Sequence, residues 1–296
     1  MQLRENAYFW ALLAVALWST VATAFKIALD ELSPIELVVY ATTASAIALS
    51  ITCMCQSKLA ACQIELKKRP LYYLLTGLIN PIGYYLVLFG AYSLLPGSQA
   101  QPINYTWAIS LTLLSALFLG RKIRIIDALA CLLGYAGVYL VATQGNITSF
   151  QFDSAWGVVL ALISTFLWSA YWIIDARSDV DSIVSLTNSF VIATILLWAI
   201  IGPTLNVTEL SITSVSAVAY VGLFEMGITF LFWSKAMRLA TNTSIIANLI
   251  FLSPIVSLWL LHVIRNEVIH PSTIIGLSII ICALLIQRYP KKRSSK

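Results

Sequence analysis

The sequence is poor in charge: Asp, Glu, Lys and Arg make up 10% of its 296 residues, whereas hydrophobic residues make up 59%. A soluble globular domain carries roughly 25% charged residues, so this composition excludes an ordinary water-soluble protein. Long polar segments between the hydrophobic runs are also missing, which leaves no room for a soluble domain of any size. The chain is therefore predicted to lie in a lipid bilayer.

Residues that carry enzyme chemistry are scarce as well. Only two histidines are present, and no cluster of His, Cys and carboxylate side chains has the spacing of a metal site. The sequence has no glycine-rich loop of the type that cradles phosphates and no serine in a nucleophile elbow. The five cysteines are odd in number, which argues against a disulfide framework. We expect a protein that is not an enzyme, binds no metal or other cofactor, and is driven by a gradient.

What is abundant is long apolar runs. Runs of roughly 20 residues recur along the chain, and a helix of that length crosses a hydrocarbon core of about 30 Å. The sequence predicts an all-α membrane protein with ten transmembrane helices. The predicted spans are 7–28, 34–55, 72–93, 98–119, 125–143, 156–176, 182–204, 214–237, 242–263 and 271–287.

The ten spans read as one set of five that occurs twice. The string Leu17-Trp18-Ser19 returns as Leu167-Trp168-Ser169, and Gly77-Leu78-Ile79-Asn80 returns as Gly222-Leu223-Phe224-Glu225. Because five is odd, the second copy must enter the membrane from the opposite side. Two inverted copies that face each other across the midplane are typical of secondary transporters. The predicted domains are two five-helix repeats, at 1–148 and 149–296.

Basic residues predict the orientation. If the amino terminus is cytoplasmic, all but two of the 18 Lys and Arg residues lie on the cytoplasmic side; Lys26 and Arg265 are the exceptions. This asymmetry follows the positive-inside rule, so both termini of a multi-pass protein of the inner membrane are predicted to be cytoplasmic. The net charge of +5 is explained by this topology and does not indicate a nucleic-acid partner. The basic tail Lys291-Lys292-Arg293 is expected to meet anionic lipid headgroups.

One carboxylate lies deep in a predicted span. Glu225 is close to the middle of the eighth span, where a lone charge costs about 3 kcal/mol or more unless it is protonated, paired or hydrated. It could couple transport to protons or bind a substrate ammonium group; it could also be a protonated acid bonded to a neighbouring helix. Its repeat partner Asn80 is polar too and precedes Pro81, which predicts a kink at that point.

The fourth span begins with an unusually polar turn. In a continuous helix, Gln101, Asn104 and Tyr105 fall on one face, with Thr106 and Trp107 beside them. Amides next to aromatic rings suit a zwitterion, an aromatic molecule or an ammonium held by cation–π attraction. The alternative is helix packing through small and polar residues together with an aromatic belt at the interface.

Three further spans carry candidate residues of the same kinds. The ninth span repeats the polar opening turn with Asn242 and places Asn248 further in. The first and sixth spans contribute Trp18, Trp168 and Tyr171, which are expected to form walls or gates. Nothing in these positions alone separates a cavity wall from helix packing.

The sequence resembles the drug/metabolite transporter superfamily of the ten-helix EamA type over essentially its whole length. The strings Leu17-Trp18-Ser19-Thr20, Asn104-Tyr105-Thr106-Trp107 and Leu167-Trp168-Ser169-Ala170-Tyr171 are most similar to aromatic amino acid exporters of bacterial inner membranes. The usual Gly-Glu pair after the fourth helix of each half survives as Glu267 in the second half, whereas the first half has Gly120-Arg121-Lys122. The fourth-helix proline survives only as Pro254.

This resemblance implies the export of aromatic or other amino acids through a central cavity by alternating access. Substrate would be bound by Asn104, Tyr105 and Trp107, with Gln101, Asn248 and Asn80 as further candidates, and Glu225 would couple to protons. Import of a choline-like amine or another small metabolite stays open, as does a membrane sensor that transports nothing. The chain could be a monomer or a homodimer.

Overall fold

The computed structural model describes residues 6–120, 123–146, 148, 152–175, 177–205, 210–241 and 243–287, without the side chains of 243, 244 and 247. Arg121, Lys122, Asn242 and the basic tail 288–296 lie outside these ranges. The described residues form helices and connecting turns, with no strand among them.

The α-helices are α1 (Ala7–Leu29), α2 (Pro34–Cys55), α3 (Leu59–Lys68), α4 (Pro70–Gly77), α5 (Tyr84–Leu94), α6 (Gly97–Asn104), α7 (Trp107–Leu119), α8 (Ile125–Ala142), α9 (Ala155–Asp175), α10 (Ser182–Ile200), α11 (Ile212–Tyr220), α12 (Thr229–Leu239), α13 (Thr243–Asn248), α14 (Leu252–Arg265) and α15 (Pro271–Gln287). Two π-helical segments, Leu78–Gly83 and Val221–Ile228, join α4 to α5 and α11 to α12. Short 3₁₀ segments lie at Gly202–Thr204 and Leu249–Phe251.

Eight helical segments within the described ranges are long and apolar enough to cross a membrane. They are Ala7–Leu29, Pro34–Cys55, Pro70–Leu94, Gly97–Leu119, Ile125–Ala142, Ala155–Asp175, Ser182–Ile200 and Ile212–Leu239. Two further apolar helices, Leu249–Arg265 and Pro271–Gln287, are shorter. Only about half or less of most of these segments is buried within the protein, which leaves the remaining apolar surface for lipid. All ten positions coincide with apolar runs in the sequence.

The helix ends follow local sequence signals. At α2, the Ser33 and Glu36 side chains form a reciprocal capping box, and Pro34 occupies the first turn, where its missing N–H costs nothing. At α7 and α14, the chain leaves the helix through left-handed residues, Gly120 with φ of 63° and Asn266 with φ of 54°. Gly and Asn tolerate that conformation better than other residues, so both helices end at the same point of their halves.

The kink predicted at Pro81 is present and takes the form of the first π-helical segment. Within it, Asn80 is extended, with φ of −143° and ψ of 115°, because a residue that precedes proline is driven out of the helical region. The second π-helical segment has no proline. There Gly222 lies against α2 so closely that a Cβ would come within 2.5 Å of the Ala41 carbonyl oxygen.

Helix packing pairs elements that are distant in sequence. Helix α1 packs on α12 and α14, and α9 packs on α5 and α7. Helix α2 packs on α10, and α8 packs on α15. These contacts place α1 and α9 on either side of the centre of the bundle. We name the two sides of the bundle after the ends of α1: the Ala7 side and the Leu29 side.

Helices α8 and α15 approach each other closely at two glycines. A Cβ on Gly137 would lie 2.7 Å from the Gly276 carbonyl oxygen, and a Cβ on Gly276 would lie 2.7 Å from the Gly137 carbonyl oxygen. Small residues of this kind let membrane helices pack backbone against backbone. The small-residue surface at Gly134 and Gly137 thus serves packing within the chain, since Gly134 also lies close to Ala283 on α15.

Candidate functional site

A cavity of about 220 Å³ lies between the two halves of the chain. It is much larger than the about 10–15 Å³ that one water requires. Most of its lining is aromatic, and its polar lining groups are an acid, two amides and the tyrosines. The lining residues are Trp18, Val21, Phe25, Tyr84, Leu88, Tyr92, Gln101, Asn104, Tyr105, Trp107, Trp168, Trp172, Glu225, Phe230, Trp233, Met237 and Ile250.

Helix periodicity explains how single helices supply several lining residues. On α5, Tyr84, Leu88 and Tyr92 are spaced four residues apart and therefore share one face. On α12, Phe230, Trp233 and Met237 recur at intervals of three and four residues, with the same result. Each helix thus presents one continuous apolar and aromatic wall to the cavity.

A break in the fourth span brings its polar residues together at the cavity. Helix α6 ends at Asn104 and α7 begins at Trp107, with Tyr105 and Thr106 between them. The prediction of one continuous helix is wrong at this point, because the Thr106 N–H and the Ile109 N–H each bond three residues back instead of four, at 3.1 and 2.8 Å. Thr106 is fully buried, and its hydroxyl donates to the Ile103 carbonyl.

Asn104 and Trp107 are both tied to α9. The Asn104 Nδ2 donates to Ser164 Oγ at 2.9 Å, and the Ser169 hydroxyl donates to the Trp107 carbonyl at 2.8 Å. These two bonds anchor the broken span against the helix that also carries Trp168. They fix the orientation of the Asn104 amide and the position of the Trp107 backbone at the cavity wall.

Glu225 reaches the cavity from the second π-helical segment. Its side chain is largely buried, and the Tyr85 hydroxyl donates to its Oε1 at 3.4 Å. Within the described ranges, none of the ion pairs includes Glu225, and the cavity lining contains no Lys or Arg. When ionised, this carboxylate would therefore be the one formal charge among the lining residues.

Aromatic contacts join the two halves around the cavity. The Trp18 ring lies 5.5 Å from Phe230 and 5.6 Å from Trp233, and the Trp168 ring lies 4.7 Å from Tyr84. Such centroid distances are in the range of favourable aromatic pairing. The predicted wall residues Trp18 and Trp168 thus contact the opposite half of the chain.

Seven of the ten predicted site residues line the cavity: Trp18, Gln101, Asn104, Tyr105, Trp107, Trp168 and Glu225. Asn80, Tyr171 and Asn248 are not among the lining residues. Asn80 and Tyr171 lie next to each other, and both are buried. Asn248 is the last residue of α13, two positions before the lining residue Ile250.

Several lining residues were not predicted, among them Trp172, Phe230, Trp233 and Tyr92. Trp172 follows Trp168 by about one helical turn, so helix periodicity places both on the same face of α9 and could have predicted Trp172 as a lining residue. Phe230 and Trp233 follow Glu225 by five and eight residues, and the intervening π-helical turn changes which positions share a face.

Polar contacts join helix ends on the Leu29 side of the bundle. The Lys26 ammonium donates to the carbonyls of Tyr92 and Leu95 at 2.9 and 3.2 Å, at the end of α5. The Glu267 carboxylate accepts from the N–H groups of Gly97 and Ser98 at 3.1 and 2.9 Å, at the start of α6. Both charges complement the helix termini that they cap.

A salt bridge also joins helix ends on the Leu29 side. The Arg265 guanidinium, at the end of α14, donates to both carboxylate oxygens of Asp30 after α1, at 2.7 and 2.8 Å. Lys26 and Arg265, the two basic residues that the positive-inside count leaves outside, both take part in these contacts. On this side of the bundle, the ends of α1, α5, α6 and α14 are thus held together.

No group of three or more His, Cys, Asp or Glu side chains in the described part of the chain could hold a metal ion. The chemistry of the cavity is that of binding: aromatic faces, amide donors and acceptors, hydroxyls and one carboxylate. Such a site can hold a small molecule that has both apolar and polar parts.

Comparisons with known proteins agree with this description. A sequence profile of the EamA-like transporter family matches residues 5–143 and 155–288. The chain is 27% identical over 216 residues to the aromatic amino acid exporter YddG of Ancylobacter novellus, covering 71% of each protein. It is 26% identical over 213 residues to an uncharacterized transporter in the sor 3′ region of Acidianus ambivalens, covering 69% of this chain and 79% of the relative.

A solved structure shows the same fold. This crystal structure of a protein aligns with a TM-score of 0.66 and 21% identity over 95% of this chain and 96% of the other. The profile matches both halves of the chain, and the apolar helices fit a protein that crosses the membrane several times. The chain therefore belongs to the EamA-like transporter family, as a multi-pass membrane protein that transports a small molecule and is not an enzyme.

Proposed function

We propose that this protein exports small aromatic metabolites, with aromatic amino acids as the first candidates, across the cytoplasmic membrane. The observation that carries the proposal is the cavity itself, where five tryptophans surround two amides and a single carboxylate. The relative YddG of Ancylobacter novellus is named as an aromatic amino acid exporter. This likeness supports both the substrate class and the direction of transport.

In this proposal, the substrate ring lies between indole and phenol faces. Trp18 and Trp168 supply rings from α1 and α9, and Trp107 supplies one from the broken span. Asn104 and Gln101 offer donors and acceptors to the polar end of the substrate. The aromatic faces would attract the substrate ammonium group, and Glu225 would couple transport to protons.

The proposed architecture is ten transmembrane helices in two inverted repeats, 1–148 and 149–296. It is supported by a packing pattern that maps onto itself when the halves are exchanged: α1 with α12 and α14 corresponds to α9 with α5 and α7. The pairs α2–α10 and α8–α15 map onto themselves in the same operation. The two π-helical segments also take equivalent places, in the third span of each half.

Alternating access would then work by rocking of these two helix groups around the cavity. The salt bridge and the two charged helix caps hold the helix ends together on the Leu29 side. With both termini cytoplasmic, as the basic residues indicate, the Leu29 side is the outer side. Export requires the Leu29-side contacts to open.

The experiment is counterflow of labelled tryptophan and phenylalanine into proteoliposomes. We expect saturable uptake in the wild type and loss in Asn104→Ala and Trp107→Ala. Trp156→Ala is the matched control, because Trp156 is 61% exposed on the outer surface of α9 and should leave uptake unchanged. Absence of counterflow for both amino acids would overturn the aromatic amino acid assignment.

A second candidate is import of a choline-like amine, which the lining favours in one respect: it offers a carboxylate and no basic partner for a substrate carboxylate. Glu225→Gln separates the two. A cation carrier should lose binding at every pH, whereas a proton-coupled exporter should keep binding and lose its response to a pH gradient. Counterflow of labelled choline instead of tryptophan would favour the importer.

A further inference from the structure

A second cleft, of about 500 Å³, lies on the Ala7 side of the bundle. It is bordered by the start of α1, the region between α2 and α3, the start of α10 and the outer face of α12. Its lining residues are Trp10, Gln56, Lys58, Ser182, Ile183, Leu231, Phe232, Ser234, Lys235 and Arg238. None of these residues lines the central cavity.

The charge of this cleft is positive. Three basic side chains line it and no acidic one does. Lys58 is paired with Asp181 at 2.8 Å, whereas neither Lys235 nor Arg238 has a carboxylate within salt-bridge distance in the described part of the chain. The Lys235 ammonium lies 4.0 Å from the Trp10 ring. The cleft thus has two cations that no described carboxylate neutralises.

The walls of the cleft are apolar below these charges. Trp10 and Phe232 pack with ring centroids 5.2 Å apart, and Leu231 and Ile183 are only partly buried. Gln56, Ser182 and Ser234 add side-chain donors at the rim. A ligand that fills this space must combine an anionic, hydrogen-bond-accepting head with an apolar body.

We propose that this cleft binds an anionic phospholipid, with its phosphate between Lys235 and Arg238 and its acyl chain against Leu231 and Phe232. Basic pockets between membrane helices on the cytoplasmic side recognise such headgroups by charge and hydrogen bonding. A free phosphate ion would satisfy the cations but leave the apolar wall uncovered, so the lipid is the better match to the whole cleft.

The position of the cleft connects the lipid to the transport site. Helix α12 presents Trp233 and Met237 to the central cavity and Ser234, Lys235 and Arg238 to the cleft. A lipid that bridges α12 to α10 would hold one wall of the cavity in place. Binding of the lipid is independent of the function proposed above, and only its effect on transport rests on that function.

The test is native mass spectrometry of the purified full-length chain with phosphatidylglycerol or phosphatidylcholine. We expect the wild type to retain phosphatidylglycerol in preference. The double variant Lys235→Gln/Arg238→Gln should weaken this preference on the order of tenfold or more, because each basic residue near a lipid surface adds to the electrostatic attraction of an anionic headgroup. Lys67→Gln/Lys68→Gln, two exposed lysines of α3 outside the cleft, should leave it unchanged.

Two further measurements distinguish binding of the whole lipid from binding of phosphate alone. Phe232→Ala should also weaken retention of phosphatidylglycerol, and inorganic phosphate should not displace it. Displacement by phosphate, an equal loss in the α3 variant, or no preference in the wild type would each overturn the proposal. Circular dichroism with heating checks that the variants are folded, and because binding is read directly, failure of amino acid counterflow leaves this result intact.

Discussion

Arg265 and Asp30 form the bidentate ion pair of the Leu29 side, with N–O distances of 2.7 and 2.8 Å. The pair joins the carboxyl-terminal ends of α1 and α14, which come from different halves of the chain. Because the two helices also pack along their length, the ion pair fixes only their ends. It can open without unpacking the helices.

Breaking the Asp30–Arg265 pair should change the access of a labelling reagent to the cavity more than the free energy of unfolding. The side chain of Asp30 is 51% exposed, and exposed pairs contribute about 0–1 kcal/mol. We expect Asp30→Asn to lower the free energy of unfolding by no more than that amount, yet to speed labelling of a cysteine at Gln101 from the Leu29 side. Lys58→Gln, which breaks a pair on the Ala7 side, is the control; an equal increase in that variant would contradict the interpretation.

Removal of the Glu267 carboxylate should weaken both the fold and substrate binding. The carboxylate accepts from two N–H groups at the start of α6, and the loss of a helix cap costs about 0.5–2 kcal/mol. Since α6 carries Gln101 and Asn104, we expect Glu267→Ala to raise the KM of transport several-fold.

The control for this prediction is Ser33→Ala, which removes the cap of α2, a helix that contributes no residue to the cavity lining. It should lower the melting temperature by a similar amount and leave KM unchanged. If both variants raised KM equally, loss of stability alone would explain the effect. Glu267→Gln retains one acceptor oxygen, the amide carbonyl, and should recover part of the affinity.

Glu31 should make stability depend on acidic pH. Hydrogen bonds from the Ser211 hydroxyl and backbone N–H lower the pKa of Glu31 below its ordinary value. Because the folded-state pKa is the lower one, its stabilisation is present above the ordinary glutamate pKa of about 4.3 and is lost as the pH falls through the folded value. The difference in melting temperature between wild type and Glu31→Gln should therefore shrink between about pH 6 and about pH 3; a constant difference would contradict this.

Alkylation should distinguish two cysteines near the Ala7 side. Cys55 is exposed, whereas Cys62 is buried with its Sγ 3.5 Å from that of Cys53. Burial, followed by the neighbouring Cys53, raises the pKa of the Cys62 thiol, and only the thiolate reacts. Near neutral pH, maleimide should modify Cys55 more than tenfold faster, and unfolding in detergent should equalise the two rates. Peptide mapping measures both.

The sequence was sufficient for the class of fold, because helix-length apolar runs with so few charges have no alternative to membrane helices. It was less informative about which faces line the cavity. In a membrane helix, the lipid-facing side is as apolar as the interior, so no amphipathic period marks the inward face. Trp156 and Trp259 are each 61% exposed, whereas Trp172 and Trp233 line the cavity; residue type alone does not separate them.

Polar residues within the spans marked part of the cavity lining. Glu225, Gln101 and Asn104 line the cavity, and each would be costly against lipid; Asn80 and Asn248 are not among the lining residues. The break after Asn104 was not predicted, although Pro102 lies in that turn and lacks the N–H of a regular helix. The cap that Glu267 provides to Gly97 joins residues from different halves of the chain, so no local pattern could reveal it.

Five of the nine tryptophans of the chain surround the central cavity. More than half of the tryptophans, the side chains that dominate intrinsic ultraviolet emission, therefore line the cavity. An aromatic or cationic ligand would quench or shift that emission, and occupancy could be followed by titration without any label. Tryptophan fluorescence can therefore report ligand binding in the cavity without a radioactive substrate or a transport assay.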